Sequence, residues 1–461
     1  MSCRLLDSSQ AALQELWPLA ERQARDHARP VVLSCSEPCE PVDPIALFAR
    51  ATSHLPRVLW LVPERAEALV GLAGQRLPLP SVTSADRSLP DRLASAWRVL
   101  AQDALAEGPL PPLAVTGIAF DPADERPDPW WHPFGRGQLL LPRLLYRQRG
   151  ALAYRAVQAA VFPGEREPRL VPAWPASLPP APAAAPRSLV QHELVRPDAW
   201  RRLIQDALAA IAAGDLHKVV LARVRELAAA DPFPLEQALR TLAARYPSCT
   251  VFAIGIGETV FLGASPERLA RVAHGTVATV ALAGSRPRAN SPEQDRCTAE
   301  ELRRSDKDRH EHALVVAAIR AALAPLCTSL SVPEEPVVVS MANVHHLATP
   351  IDGVLHDGTS LLDVVARLHP TPAVGGTPRQ AALAFIRQHE PVPRGWYAGA
   401  LGWVEASGDG EIVVGLRSGL VRGRQARLYA GCGIVADSDP AAEWAEAEAK
   451  FRPMLEALVG G

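Results

Sequence analysis

The stretch VFAIGIGETVFLG, residues 251–263, decides the fold. Its two apolar runs, Val251–Ile256 and Thr259–Gly263, have the length of strands, and the Gly-Glu pair between them suits a tight turn. A hairpin implies antiparallel pairing, and the pattern repeats on either side. Upstream, Leu216–Val224 reads as a strand. Downstream come Gly275–Leu282, Val337–Ser340 and a late block of Tyr397–Val404, Ile412–Leu420 and Gln425–Cys432. Between them the apolar residues switch to helical spacing over Trp200–Ala213, Leu235–Arg245, Ala299–Ala324, Leu361–Leu368, Arg379–His389 and Pro440–Val459. Hairpin-linked strands with helices between them predict an α+β fold, antiparallel sheets covered by helices, rather than a repeated βαβ unit. There is no internal repeat.

The region before residue 162 mixes helical stretches (Ser9–His27 and Asp91–Glu107) with short strands such as VVLSC and VLWLV. Composition shifts once, over FPGEREPRLVPAWPASLPPAPAAAPR, which is rich in Pro and Ala and has no period. Three parts are therefore expected: 1–162, a linker or surface loop over 163–187, and a catalytic region over 188–461.

The 461 residues carry a formal net charge of −2, and the sequence pI is near 6.7. With Lys and Arg spread evenly, no footprint for nucleic acid or an anionic membrane is present. No apolar run approaches the roughly 18–20 residues needed to span a bilayer. The seven cysteines include no CxxC pair, which suits free thiols in a reducing compartment. A cytoplasmic globular protein is expected.

Two pairs of acidic residues lie at helical spacing: Asp308 and Glu311 in SDKDRHEH, and Glu443 and Glu446 in DPAAEWAEAEAK, followed by Lys450. Residues three apart share a helix face, so two such helices face to face would make an oxygen-lined site of the kind Mg²⁺ prefers. The alternative is a pair of solvated helix faces. Lys218, in LHKVVLARV, falls on the same strand face as Leu216, Val220, Ala222 and Val224. An inward-facing lysine loses its proton readily and can act as a general base; one at a strand edge would merely reach for water.

Glu267, in LGASPERL, looks like a first-turn acid of a helix capped by Ser265. ALAGSRPR (281–288) reads as a Gly-Ser turn after a strand. In AGCGIV (430–435), Gly431 and Gly433 permit close backbone approach to a ligand. Arg417 is a cation inside an apolar strand, suited to clamping a carboxylate. His310, His312, His345 and His346 lack the HExxH spacing of a zinc hydrolase.

Taken in order, LHKVVLAR, LGASPERL, ALAGSRPR, SDKDRHEHALVV, NVHHLATPIDG, LHPTPAVGGTP, PRGWYAGALGW, VVGLRSGL and AGCGIVADSDPAAEWAEAEAK resemble the chorismate-utilising enzymes, most closely the isochorismate synthases. The match covers about residues 200–458. The resemblance implies a large antiparallel two-sheet core wrapped by helices, and carries roles onto matching positions. Lys218 corresponds to the lysine that activates water and Glu267 to the general acid. Glu311 and Glu446 correspond to Mg²⁺ ligands, with Asp308 and Glu443 beside them. Ser285, His346, Tyr397, Arg417, Gly431, Gly433 and Lys450 match substrate-binding positions.

Within this family, aminodeoxychorismate synthases carry a lysine in a PIKGT-like string where this chain has Ala283, and anthranilate synthases typically read PIAGT. The resemblance therefore implies water as nucleophile, chorismate and isochorismate as ligands, and no amidotransferase subunit. TGIAFDP and WWHPFGRGQLLLPRLLYRQRG resemble the N-terminal half of menaquinone-type members. A salicylate synthase, which goes on to eliminate pyruvate, and a siderophore-pathway isochorismate synthase are the alternatives within the family. A non-catalytic chorismate-binding protein is the alternative from another class, opposed by the retention of both acid–base residues and both acidic helices.

Overall fold

The structure is a computed structural model and describes residues 6–51, 54–79, 88–166, 174, 189–289, 291–340 and 344–459. The expected linker, 163–187, lies outside the described residues except for 163–166 and 174. Two large sheets, one of 13 strands and one of 10 among the described residues, form an α+β architecture. Among the described residues every pairing is antiparallel except that of Val31–Pro38 with Leu105–Glu107.

In the larger sheet, Lys218–Ala229 pairs with Gln425–Ile434, followed by Ser418–Arg422, Thr259–Ser265, Thr250–Ile256 and then Arg57–Val62. The decisive hairpin sits in the middle of that order, with Val251 opposite Ala264 and Ile256 opposite Thr259. In the smaller sheet, Val344–Leu355, Thr276–Pro287, Arg268–Ala273, Gly410–Val414 and Ala400–Glu405 lie side by side.

The larger sheet is covered on both faces. One apolar cluster joins it to the smaller sheet through Phe252, Phe261, Leu401, Ile412 and Trp396. A second joins it to helices Leu6–Asp26, Leu235–Arg245 and Pro440–Val459 through Trp17, Leu239, Phe451 and Met454. This is why strand Lys218–Ala229 does not alternate in burial: residues 219–225 are buried on both faces.

Four expectations are corrected. The helix expected over Ala299–Ala324 is two, Pro292–Arg304 and Asp306–Leu323, because Ser305 leaves the helical region and caps the second helix through the Asp308 N–H. The helix expected to Glu107 ends at Ala101, and Leu105–Glu107 pairs as a strand. Ser-Pro-Glu does not start a helix. It links strand Thr259–Ser265 of the larger sheet to strand Arg268–Ala273 of the smaller. The strand expected over Ile412–Leu420 likewise breaks at Gly415–Arg417, where the chain returns from the smaller sheet to the larger.

Candidate active site

The two crossings between sheets lie side by side. Ser265 Oγ accepts from the Glu267 N–H at 3.3 Å and donates to the Val414 carbonyl at 2.5 Å. The Val414 N–H donates to the Glu267 carbonyl at 3.0 Å, and the Ala264 N–H to the Arg417 carbonyl at 3.2 Å. Ser265 thus does cap Glu267, but at a sheet crossing. Arg417 is held at φ 50°, a left-handed conformation that a branched-chain or long side chain adopts only under constraint from its surroundings. Its guanidinium is buried, which lowers its pKa, with Tyr397, Cys249 and Glu446 as charge partners opposing the shift.

Lys218 starts the strand whose partner contributes the two glycines, with Gly433 opposite Val220 and Gly431 opposite Ala222. A Cβ at Gly433 would lie 2.9 Å from Lys218 Cε and 3.5 Å from its Nζ. Gly433 therefore leaves the room in which the amine sits. Lys218 and Glu267 keep a little accessible surface, as groups facing a substrate cavity must, yet both ionisable ends are enclosed. Burial drives Lys218 toward its neutral amine; Glu311, Glu267 and Glu446 oppose this, and Lys450 adds to it. Burial also pushes Glu267 up to about 7, against Lys218 and Lys450. A base made more acidic and an acid made more basic, facing one space, are what acid–base chemistry at neutral pH requires.

The acidic pairs stand near the starts of two helices. Asp308 and Glu311 lie in the first turns of Asp306–Leu323, and Glu443 and Glu446 in those of Pro440–Val459, where Asp439 caps the Ala441 and Ala442 N–H groups. Helix N-termini favour negative charge. Lys307 ion-pairs with Asp437, which ties the two helix starts together. Glu311 and Glu446 both act on Lys218, so the two helices face the same amine.

Three of the four carboxylates nonetheless have their own partner or setting. Asp308 lies 3.5 Å from Arg286. Glu443 Oε1 accepts from Ser438 at 2.8 Å, while its Oε2 is buried without a partner and burial raises its pKa. Glu446 pairs with Lys450 at 2.5 Å, and Lys450 also donates to the Gly431 carbonyl at 2.8 Å. Among the described residues no three His, Cys, Asp or Glu side chains converge closely enough to hold a metal ion. The donor set is all carboxylate oxygen, and the orphaned Glu443 Oε2 is an unmet acceptor within it, which fits a hard divalent cation.

The remaining expected residues gather on the same side. ALAGSRPR is not a turn but part of strand Thr276–Pro287, which bulges at Gly284 (φ 72°) before Ser285 pairs with His346. A left-handed glycine inside a strand commonly marks such a bulge. A Cβ there would come within 3.3 Å of Asp308 Cβ, so the bulge brings the strand against the acidic helix. Burial lowers the His346 pKa, opposed by the Gly284 backbone. Tyr397 is buried, stacked on Tyr429 with ring centroids 5.0 Å apart, and its hydroxyl lies 3.2 Å from where a Cβ on Gly431 would be. His312 bonds Thr349 at 2.7 Å and His345 bonds Asp295 at 2.9 Å, both structural arrangements rather than zinc ligation.

Against known proteins, the family model described as "Chorismate binding enzyme" matches residues 18–459. The chain belongs to the chorismate binding enzymes. A salicylate biosynthesis isochorismate synthase from Pseudomonas aeruginosa is 37% identical over 98% of this chain and 95% of its own length. The isochorismate synthase MenF of Bacillus subtilis is 34% identical, with 96% of each chain covered. Among solved structures, the menaquinone-specific isochorismate synthase MenF of Escherichia coli superposes with a TM-score of 0.75 at 28% identity, covering 96% of this chain and 99% of its own. The resemblance read from the ordered strings, to the isochorismate synthases, is the one these comparisons return.

This chorismate binding enzyme also holds charged residues near the site that the strand and helix patterns did not single out. Arg223, fully buried, stacks over Trp444 and donates to its carbonyl at 3.1 Å and to Glu448 at 2.7 Å, which anchors the helix carrying Glu443, Glu446 and Lys450. Glu390 and Arg394 form a buried ion pair against the other edge of the Lys218 strand. An ionisable residue in an otherwise apolar segment was the available signal for Arg223; the polar run RQHEPVPRG around Glu390 and Arg394 offered none. A cleft of about 430 Å³ runs along helix Asp306–Leu323, lined by Arg309, His310, His312, Arg320 and Thr349. It contains none of Lys218, Glu267, Glu311, Arg417, Glu446 or Lys450. A small cavity of about 20 Å³ adjoins Glu267. The candidate site is marked by converging groups, not by that cleft.

Proposed function

We propose that the chain is an isochorismate synthase, converting chorismate reversibly to isochorismate. The observation that carries this reading is the opposed pair Lys218 and Glu267, both driven toward their neutral forms in one enclosed space within a chorismate binding enzyme. Neutral Lys218 takes a proton from water as the water oxygen bonds C2 of the ring. The ring double bonds shift, the C4–O bond breaks, and Glu267 gives its proton to the departing hydroxyl, which leaves as water. The reverse reaction uses the same groups with roles exchanged. Each acid–base contribution is worth about 10²–10⁴-fold.

Arg417, Lys450 and the Gly431 and Gly433 backbone bind the enolpyruvyl carboxylate and so orient the ring; His346 and Tyr397 complete the substrate cavity, beside the Ser285 backbone that pairs with His346. Lys450 exchanges its Glu446 contact for this role. Glu311 and Glu446, with Asp308 and Glu443 beside them, would hold Mg²⁺, which supplies charge neutralisation at the ring carboxylate when bound. Ammonia has no part in the scheme, and neither has an amidotransferase subunit. Menaquinone formation is the proposed downstream route, from the N-terminal strings; a synthase that releases isochorismate serves salicylate or siderophore formation equally well, as the name of the Pseudomonas relative illustrates.

The test is a time course of chorismate with the purified chain and Mg²⁺, the products being separated chromatographically. Free isochorismate accumulating toward an equilibrium mixture supports the reading. Stoichiometric salicylate and pyruvate without free isochorismate would make the chain a salicylate synthase. Binding without turnover would make it a chorismate-binding protein.

A further inference from the structure

Strand Lys218–Ala229 is paired along one edge, from Val219 to Ala228, with Gln425–Ile434. Its other edge is paired only at the ends. Lys218 and Val219 meet the short strand Gly376–Thr377, and residues 225–229 meet Leu189–Glu193. Between them, over residues 220–224, no strand lies alongside. Buried backbone groups left unpaired are costly, and this gap is filled by two side chains. The Ala222 N–H donates to Glu390 Oε1 at 2.8 Å, and the Val220 carbonyl accepts from Arg394 Nη2 at 2.5 Å. The Val220 N–H and Val224 carbonyl are taken by Gly375 and Leu194.

The two side chains are locked to each other as well. Arg394 Nε donates to Glu390 Oε2 at 2.9 Å, and Arg394 Nη1 to the Val374 carbonyl at 3.0 Å. Both are almost inaccessible, at 3% and 2% side-chain exposure, and the guanidinium lies 4.2 Å from the centre of the Phe120 ring. One planar fork therefore binds a carboxylate, the Lys218 strand and the Val374–Gly376 loop at once. That loop runs on into the Lys218–Thr377 pairing, and a Cβ on Gly376 would lie 2.3 Å from the Lys218 carbonyl.

We propose that Glu390 and Arg394 are positioning residues for Lys218, acting as a side-chain substitute for a missing strand that fixes the Lys218 backbone and the loop against it. This rests on the isochorismate synthase reading, in which Lys218 is the base. A lysine at position 394 would keep the charge but not the fork, because an ammonium cannot span three acceptors in one plane.

The experiment compares wild type with Arg394→Lys and with Glu390→Gln, a nearly isosteric change that retains an acceptor for the Ala222 N–H. Assays run well below the unfolding temperature. The expected result is a kcat lowered about 10–100-fold, the scale of a misplacement near 1 Å, with the chorismate KM changed less than about 3-fold. The acid limb of the kcat/KM profile moves to higher pH as the displaced amine regains its proton, while Glu311, Glu267, Glu446 and Lys450, the charged groups facing it, stay unchanged. Amide exchange at Ala222 accelerates in both variants, because each breaks the Arg394 ion pair that holds the residue-390 acceptor against that N–H. Wild-type kcat and an unmoved acid limb in either folded variant, even one with lowered stability, would assign the pair to the fold alone and overturn the proposal. Should the wild-type chain not turn over chorismate, the proposed function fails instead, and Ala222 exchange decides this inference by itself: unchanged exchange in the variants overturns it.

Discussion

Replacing Glu267 by Gln should stabilise the folded chain at alkaline pH while abolishing its activity. The carboxyl is pushed by burial from an ordinary 4.5 up to about 7. Each tenfold change in proton affinity is about 1.4 kcal/mol, so the folded state is penalised by up to about 3 kcal/mol once this group is ionised in both states. A carboxyl whose pKa is raised on folding favours the folded state fully below its unfolded value of 4.5, and that contribution is lost as pH rises through about 7. Glutamine never ionises. Its advantage over wild type should therefore be near zero at pH 4.5, grow across pH 5–7 and level off above. That penalty of about 3 kcal/mol is already net of the attraction of Lys218 and Lys450 for the ionised carboxylate, which opposes the shift. Urea unfolding midpoints measured at steps from pH 5 to 8.5 give the comparison. A stability difference that does not change with pH, or a variant less stable than wild type at pH 8, would refute the placement of this carboxyl in an enclosed, desolvating site.

Lys218→Ala should lower turnover by about 10²–10⁴-fold while chorismate binding, followed by calorimetry, persists; a variant keeping a tenth of wild-type turnover would remove Lys218 as the base. Glu311→Gln and Glu446→Gln should each shift the Mg²⁺ titration of activity to higher concentration, since a neutral amide oxygen is the poorer ligand. Excess EDTA should silence the wild type, and full activity in EDTA would take the metal out of the reaction. Gly433→Ala sets a methyl against Lys218 Cε at 2.9 Å, the far part of a flexible side chain, so kcat should fall about 10–100-fold with little change in unfolding midpoint. Unchanged kcat would show that the amine works elsewhere.

Strongly periodic segments were legible in the sequence. The helices at Leu235–Arg245, Leu361–Leu368, Arg379–His389 and Pro440–Val459 and the strand Val337–Ser340 have the expected limits, because apolar spacing marks them, with capping residues Ser360 and Asp439 adding to it at two of the helices. The candidate site residues were picked out through ordered motifs; strand parity could not single out Lys218, since residues 219–225 are buried on both faces. What escaped was decided by tertiary contact. Nothing local distinguishes Ser-Pro-Glu entering a helix from Ser-Pro-Glu crossing between sheets; the Val414 backbone that accepts from Ser265 Oγ lies far along the chain. The break at Gly415–Arg417 was hidden by the apolar run around it, and Arg417 takes a conformation its residue type does not announce. Arg223, Glu390 and Arg394 bind backbone groups of distant segments, and periodicity carries no information on such pairs.

The central claim is that Lys218 activates a water that attacks C2, and isotope incorporation tests it most directly. Chorismate should be incubated with the purified chain and Mg²⁺ in H₂¹⁸O, and early isochorismate analysed by mass spectrometry. The account predicts one ¹⁸O per molecule, located in the C2 hydroxyl, with formation suppressed in Lys218→Ala. Label should then reach the C4 hydroxyl of recovered chorismate as the reverse reaction proceeds. Isochorismate carrying only unlabelled hydroxyl oxygen would mean that the C4 hydroxyl itself migrates, and would contradict the mechanism.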